Sequence, residues 1–284
     1  MSDSDGSATS SPPSELPTEV HGIDFSGGRS GGKRSWVSSG LLEEGSLKID
    51  DCRTASELAG SGTGRDTFLE ALVEWIKDQG FCGIGMDFPF SIPADLVEED
   101  SWEEFVRSFP KKYAGPDEFR MACQRKAPGE ERKRETDKAK DTPFSPYNLR
   151  IYKETYHGLA DLLAPLVEAE TVSVLPIEEP DPDKAWVFEV SPPATMKAEG
   201  QRQQYKGTTQ EHRAARTRII KQMQNSGTLT IRAQGVLSSV LRDSGGDALD
   251  SVLSAYQVTQ VLLEPERIIP DQLDGPRVEG HVYV

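Results

Sequence analysis

Residues 20–26, VHGIDFS, are a short apolar run, and the glycine-rich stretch 27–34, GGRSGGKR, follows them directly. An apolar run of this length that ends at glycines predicts a buried β-strand followed by a turn. Beyond the turn, segments 35–44, SWVSSGLLEE, and 46–51, SLKIDD, predict two more strands joined by a Glu-Gly turn. We therefore expect the folded part of the chain to begin with an antiparallel three-stranded meander.

A helix and a fourth strand are predicted after the meander. Between Arg65 and Gln79 apolar residues recur at helical spacing, and Gly80 is a suitable stop. The run 81–89, FCGIGMDFP, predicts a strand parallel to the first one, because a right-handed helical crossover separates the two. The later segments predict strands at 172–177 and 186–190, and helices at 93–109, 149–167, 210–223, 232–242 and 247–263.

The order of these segments indicates an α/β fold. We expect a mixed five-stranded sheet in the order β-β-β-α-β-α-β-α, flanked by helices. Residues 107–150 are predicted to form a basic, largely helical insertion, and the closing segment 277–284, RVEGHVYV, an edge strand. Residues 1–18 are small, polar and rich in proline, which predicts a disordered acidic tail before a single domain at 19–284.

Composition narrows the class of protein. The 284 residues include only three cysteines, widely spaced, which excludes a disulfide framework or a zinc signature. The sequence has neither an apolar run of membrane-spanning length nor a signal pattern, so we expect a cytoplasmic protein with no membrane partner.

The net charge of −15 is unevenly distributed. Arg107–Lys153 holds 13 Lys or Arg against 7 Asp or Glu, and Lys197–Lys221 holds 7 against 2. Basic stretches with interleaved aromatic residues are typical of surfaces that follow a phosphate backbone and stack on bases. The aromatic residues in these stretches are Tyr113, Phe119, Phe144, Tyr147, Tyr152, Tyr156 and Tyr205. Alternatively, segment 131–140 is a solvated helix face, and Arg213 and Arg216 pair with the protein's own acids.

Four aspartates fall at the ends of predicted elements. Asp24 and Asp87 each end an apolar strand, and Asp247 and Asp250 lie three residues apart on one face of the last long helix. An aspartate in an apolar strand is costly unless it is paired, protonated or bound to a cation. Oxygen-only ligand sets select Mg²⁺ or Mn²⁺, so the pattern predicts a site for two such ions. Alternatively each aspartate is a turn former or, for Asp247, a helix N-cap.

The layout of acids and elements resembles the RNase H-like fold. More closely, the chain is similar to domain-of-unknown-function family 429, whose members are described as predicted RNase H-like nucleases. The similarity runs from about Gly22 to the C-terminus. It is carried by the segments GIDFSGG, GMDFPFSIP, RETDKAKDTPFSPYNLRIYKETYHG, FEVSPPATMK, YKG and GGDALDSVLSAYQV.

This resemblance implies roles for particular residues. The presumed metal-binding and catalytic positions are Asp24, Asp87, Asp247 and Asp250, and Glu189 matches a further acidic position that we assign to the metal site. We assign the matched positions of the central segment to substrate binding; these are Arg134, Asp137, Asn148 and Arg150.

We accordingly expect a nuclease that hydrolyses phosphodiester bonds by a two-metal mechanism, with nucleic acid as its partner. Asp24 would bridge the two ions, one of which activates a water while the other stabilises the leaving oxygen. Lys206 or Arg213 would neutralise the scissile phosphate. Two alternatives stay open: an actin-like-fold phosphotransferase that holds ATP phosphates at 27–34, and a non-catalytic nucleic-acid-binding protein of the same fold.

Overall fold

The computed structural model describes Pro13, residues 15–201 and residues 203–284. Over these residues the chain forms one mixed sheet with helices packed on both of its faces, as the sequence predicts. The sheet has eight strands rather than five. The two segments 172–175 and 185–190 both join it, and short strands at 229–231 and 282–283 extend it. The strand at 282–283 lies within the closing edge strand predicted at 277–284, whereas the strand at 229–231 was not predicted, because three residues are too short to show a period of two.

The strands pair in the order β5-β6-β4-β1-β2-β3-β7, and β8 pairs with β6. Their bounds are β1 Glu19–Asp24, β2 Trp36–Glu43, β3 Ser46–Thr54, β4 Gly83–Asp87, β5 Val172–Leu175, β6 Ala185–Val190, β7 Leu229–Ile231 and β8 Val282–Tyr283. Strands β1, β2 and β3 form the predicted antiparallel meander. Strand β4 is parallel to β1, as the crossover argument predicts.

The helices of the described residues are α1 Arg65–Lys77, α2 Trp102–Lys112, α3 Pro116–Lys126, α4 Glu135–Ala139, α5 Tyr152–His157, α6 Ala164–Glu168, α7 Pro192–Ala198, α8 Gln210–Asn225, α9 Gln234–Arg242 and α10 Asp247–Leu263. A π-helical turn, Gly158–Leu163, joins α5 and α6 into one continuous helix. The helix predicted to begin at Pro93 begins instead after Ser101, because the Ser101 hydroxyl accepts a hydrogen bond from the Glu104 amide at 3.1 Å and caps it.

Two hydrophobic cores lie on opposite faces of the sheet. Helices α1, α2, α3, α5 and α6 cover one face. Helices α8, α9 and α10 cover the other, and α10 is buried along most of its length. None of the helices in the described ranges is both long and apolar enough to cross a membrane. Cys52, Cys82 and Cys123 are free and buried.

Glycines let α10 lie directly against the centre of the sheet. A Cβ atom on Gly22 of β1 would come within 1.9 Å of the Ser251 carbonyl oxygen, and one on Gly85 of β4 within 2.6 Å of the Ser254 carbonyl oxygen. Gly22 and Gly85 are register partners across the two parallel strands. The pair therefore forms a flat area on which the backbone of α10 rests.

Most of the predicted tail, residues 1–12 and Ser14, lies outside the described residues. Its last residues are packed: Leu16 contacts the core, and the Thr18 carbonyl accepts a hydrogen bond from the Leu42 amide at 2.7 Å. The predicted insertion contains the end of α2, all of α3 and α4, and fully buried side chains such as Phe109 and Phe119. It is therefore integrated into the core on the α1 face.

Candidate metal centre

Asp24 and Asp87 are the last residues of two neighbouring strands. They are register partners in the parallel pair β1–β4. Side chains alternate along a strand, so a residue two positions after a glycine points to the same face as that glycine. Because Gly22 and Gly85 face α10, the carboxylates of Asp24 and Asp87 also point toward the α10 side of the sheet. The repeated Gly-x-Asp pattern in the sequence is the local cause of this arrangement.

Helix α10 brings two more carboxylates to the same place. Its first turn carries Asp247 and Asp250, and its N-cap, Gly246, has a positive φ of 80° that only glycine adopts without strain. Carboxylate oxygens of Asp24, Asp247 and Asp250 all lie within 4.8 Å of one another. We call these three residues, together with the adjacent Asp87, the acid cluster.

Capping does not account for Asp247. The N-cap of α10 is Gly246. The backbone amides that a capping side chain would normally bind donate instead to the Asp243 carboxylate. Its Oδ1 accepts from the Gly245 amide at 3.1 Å and its Oδ2 from the Ala248 amide at 3.0 Å. Asp247 is therefore left available for another role.

The electrostatics of the acid cluster are unfavourable without a cation. Burial, followed by repulsion from Asp250 and Asp247, raises the pKa of Asp24 well above its ordinary value. Burial, followed by repulsion from Asp250, likewise raises the pKa of Asp87. Among the described residues no hydrogen bond reaches either of these two carboxylates. The cluster thus carries negative charge that the surrounding chain does not fully compensate.

Asp250 has two partners on the loop before α8. Tyr205 donates its hydroxyl to Oδ1 of Asp250 at 2.5 Å, and Nζ of Lys206 lies 2.5 Å from Oδ2. Nζ of Lys206 is also 3.9 Å from Oδ1 of Asp247. Partial burial lowers the pKa of Lys206, but attraction to Asp250 and Asp24 outweighs it, so the pKa of this ammonium is raised. Lys206 is therefore the main positive charge at the cluster.

A cleft of about 680 Å³ opens over the acid cluster. Its lining includes Asp24, Asp87 and Asp247 on one side, and the basic side chains of Arg34, Arg150, Lys153 and Lys206 elsewhere. Clustered carboxylates with basic side chains around them form the arrangement that a metal-assisted phosphoester site needs.

Glu154 also lines the cleft, although no sequence pattern predicted it as a site residue. Burial raises the pKa of Glu154 to about 7. Attraction to Lys206 opposes this shift, and repulsion from Asp247 adds to it. Glu154 lies within the central segment that carries the family resemblance, but its position in a helical stretch gives it no distinguishing pattern of its own. Only the packing of α5 against the β1–β2 loop places it there; a Cβ on Gly27 would come within 2.4 Å of the Lys153 carbonyl oxygen.

Arg134, Asp137 and Glu189 also line the cleft, where they form a buried charge network of their own. The Arg134 guanidinium donates from Nε to Oδ2 and from Nη2 to Oδ1 of Asp137, both at 2.8 Å. It also donates from Nη1 to Oε2 of Glu189 at 2.9 Å and from Nη2 to Oε1. Oε2 of Glu189 accepts a further hydrogen bond from the Phe90 amide at 3.0 Å. Arg134 thus forms ion pairs with both Asp137 and Glu189. The expected roles of these three residues in substrate and metal binding stay predictions.

Of the other two residues of the central segment, Arg150 lines the cleft and Asn148 does not. Nδ2 of Asn148 donates to Oε2 of Glu131 at 2.5 Å, and its Oδ1 accepts from the Arg150 amide at 2.9 Å. The exposed Arg150 guanidinium lies 5.4 Å from the centre of the Phe144 ring. Asn148 therefore shapes the loop, and Arg150 presents its charge to the cleft.

Two expectations about the basic stretches change in the structure. Arg213 does not line the cleft; it lines a neighbouring hollow. Of the aromatic residues expected to stack on bases, Phe144 and the largely buried Tyr152 line the cleft, and the others are buried in the cores, namely Tyr113, Phe119, Tyr147, Tyr156 and Tyr205. Aromatic residues close to basic ones in sequence supply core contacts here, because the side chains on opposite faces of one helix reach different surroundings.

The acid cluster fits a hard divalent cation. Its donors are all carboxylate oxygens, and three of them already converge within 4.8 Å. Such donors match Mg²⁺ or Mn²⁺ rather than zinc, which prefers nitrogen and sulfur ligands. No family model, curated protein or solved structure matches this chain.

Proposed function

We propose that this protein is a metal-dependent nuclease with an RNase H-like fold, which hydrolyses phosphodiester bonds at the acid cluster. One observation carries the proposal: carboxylate oxygens of Asp24, Asp247 and the fully buried Asp250 converge within 4.8 Å, and Asp24 and Asp247 line a cleft that five basic side chains also line. Carboxylates that close together bind divalent cations, and basic side chains around them bind phosphate.

The topology supports the proposed fold. An antiparallel meander, β3-β2-β1, continues into the parallel strand β4, and acids end β1 and β4 beside an acidic C-terminal helix. This layout resembles that of the RNase H-like fold and of domain-of-unknown-function family 429. The proposal includes membership of that family.

The residues of the chain divide the work as follows. Asp24, Asp247 and Asp250 would hold Mg²⁺ or Mn²⁺, with Asp87 beside them. The ions, when bound, supply a nucleophilic water and stabilise negative charge on the leaving oxygen. Lys206 lies at the cluster, and Arg34, whose side chain is 68% exposed with Nε 3.9 Å from Oδ2 of Asp247, can turn toward a phosphate. Both would hold the scissile phosphate against the carboxylates.

A metal titration combined with a cleavage screen tests the proposal. Mn²⁺ and Mg²⁺ should raise the melting temperature of the wild type, and Mn²⁺ should support cleavage of labelled DNA or RNA. Asp24→Asn should abolish both effects, whereas Asp50→Asn, which removes the same charge from an exposed position on β3, should preserve them. Equal cleavage by Asp24→Asn and wild type would overturn the assignment.

The same melting assay, repeated with ATP and with nucleic acid, separates the proposal from its two alternatives. Stabilisation by ATP with Mg²⁺, without cleavage of nucleic acid, would favour the phosphotransferase. In that case Gly27 and Gly28, which line the cleft next to Asp24, would contact the phosphates. Absence of any metal effect, together with binding of nucleic acid, would favour a non-catalytic binding protein.

A further inference from the structure

A second concave surface lies next to the cleft. It is a hollow of about 690 Å³ between the start of α8 and the end of α9. Its lining contains three arginines, Arg213, Arg216 and Arg242, and no acidic side chain. We call it the arginine hollow. In a chain with a net charge of −15, such a concentration of positive charge is a strong local departure from the average.

The positive charge of the arginine hollow is not neutralised by ion pairs. Over the described ranges, none of its three arginines lies within salt-bridge distance of a carboxylate. Many other basic side chains do form such pairs, for example Lys112 with Glu98 at 3.1 Å. The nearest acid in sequence, Asp243, already accepts hydrogen bonds from the Gly245 and Ala248 amides.

Backbone carbonyls hold the central arginine in place. Arg216 is buried, and its Nε donates to the Leu241 carbonyl at 3.2 Å. Its Nη1 donates to the carbonyls of Tyr205 and Gly207, the latter at 3.2 Å. Neutral acceptors fix the position of the guanidinium. Burial lowers its pKa, and the only attraction to a carboxylate among the causes that shift this pKa is that of Asp243, which forms no ion pair with it. An anion at the mouth of the hollow would compensate the charge of Arg216.

The arginine hollow adjoins the catalytic cleft. Lys206 and Gly245 line the cleft, while Thr208 and Ser244 line the hollow. The two loop segments that separate the cleft from the hollow are hydrogen-bonded to each other, since the Gly207 amide donates to the Ser244 carbonyl at 2.8 Å. The two surfaces are therefore neighbours, and a polynucleotide that passes Lys206 would meet the hollow next.

We infer that the arginine hollow is a second phosphate-binding subsite, which binds the backbone of a polynucleotide on one side of the scissile bond. The inference rests on the proposed function and names its substrate class: a polynucleotide, DNA or RNA, rather than a small phosphoester. A small phosphoester fills only the cleft and gains nothing from charges outside it. A polymer gains binding free energy at each additional phosphate contact.

The test compares a polymer with a small ester. We measure Mn²⁺-dependent kcat/KM for single-stranded DNA and RNA 20-mers and for bis(4-nitrophenyl) phosphate. Arg213→Ala/Arg242→Ala should lower the ratio of oligonucleotide to small-ester kcat/KM at least about tenfold, and should reduce the slope of log affinity against log salt by roughly 1 to 1.5. The DNA and RNA arms show which polymer is preferred.

The control variant is Arg218→Ala/Lys221→Ala. It removes the same charge from two exposed positions of α8 that do not line the hollow, and it should leave the ratio within about twofold of wild type. Arg213→Lys/Arg242→Lys, which keeps the charge, should retain most of the oligonucleotide preference. An equal ratio in wild type and the hollow variant, or an equal fall in the control, would overturn the inference.

Failure of the proposed function gives a different pattern. If wild type hydrolyses neither substrate and Mn²⁺ does not raise its melting temperature, the catalytic assignment fails. The subsite is then tested alone, by fluorescence anisotropy of the labelled 20-mers in EDTA. Weaker binding by the hollow variant than by its control would still support the subsite, and equal binding by the two would overturn the inference.

Discussion

Gly22 and Ser251 are in direct backbone contact: a Cβ atom on Gly22 would lie 1.9 Å from the Ser251 carbonyl oxygen. This contact sets the height of α10 above β1. Since Asp250 immediately precedes Ser251 and Asp24 follows Gly22 by two residues, the same contact sets the separation of their carboxylates. The proposed metal site therefore depends on the absence of a side chain at Gly22.

Gly22→Ala should damage both stability and metal binding. The added methyl group collides with backbone, which cannot rotate away, so we expect a loss of at least about 2 kcal/mol in the free energy of unfolding. Displacement of α10 should also weaken Mn²⁺ binding. Denaturant unfolding and a Mn²⁺ titration measure the two effects. Gly235→Ala is the control, because a Cβ at this exposed position on α9 meets nothing within 4 Å; equal stability of the two variants would contradict the prediction.

Asp24→Asn should stabilise the metal-free protein. The carboxyl of Asp24 has an ordinary pKa of 3.8, which burial and then the neighbouring aspartates raise in the folded state. Between these two values the folded state retains a proton that the unfolded state has released, so stability falls as the pH rises through this window. At pH 7.5 the variant should melt above the wild type in EDTA, and near pH 4 the two should converge. A variant that melts below wild type at pH 7.5 would refute this account of the cluster.

Metal affinity should increase with pH. Protons and Mn²⁺ compete for the same carboxylates, and burial raises the pKa of Asp24, Asp87 and Asp250 above their ordinary values. Mn²⁺ titrations by calorimetry at pH 5.5, 6.5 and 8 should therefore give steadily tighter binding and release of protons at the lower pH values. Affinity that is independent of pH over this range would show that the cluster does not hold the ion.

Lys206→Gln should increase metal affinity while lowering the stability of the metal-free protein. The Lys206 ammonium, 2.5 Å from Oδ2 of Asp250, occupies part of the space and neutralises part of the charge that a metal ion would take. Because its side chain is 51% exposed, we expect only about 1 kcal/mol for each effect. The Mn²⁺-induced rise in melting temperature should be larger in the variant than in wild type. Lys197→Gln, an exposed lysine on α7, is the control, and a smaller rise in Lys206→Gln would contradict the prediction.

Arg134→Met should destabilise the fold strongly. The substitution leaves the buried carboxylates of Asp137 and Glu189 without their shared cation, which typically costs about 3 to 5 kcal/mol. Arg150→Met, at an exposed position over Phe144, should change the free energy of unfolding little but should weaken substrate binding. Denaturant unfolding of both variants checks the contrast. If Arg134→Met had wild-type stability, the structural role would be refuted, and substrate binding would be the better explanation of Arg134.

Local patterns predicted much of the fold. Helix α10 begins and ends at the expected residues, Asp247 and Leu263, and α1, α8 and α9 lie within a few residues of their predicted bounds. Hydrophobic periodicity and flanking glycines act over a few residues, so they are readable in the sequence. Strand β7 was missed because its three residues pair with β3, more than 170 positions away, and carry no pattern of their own.

What the sequence alone determined is the position of each aspartate on its element: Asp24 and Asp87 after a Gly-x step at a strand end, and Asp247 and Asp250 in the first turn of a helix. Tertiary structure decided which charges meet. The fold brings Asp24 close to Asp247 and Asp250, and it pairs Glu189 with Arg134. It also places Arg213 outside the cleft and Glu154 in its lining. The physical reason is that pairing of buried charges depends on contacts between residues far apart in the chain, and no local pattern records them.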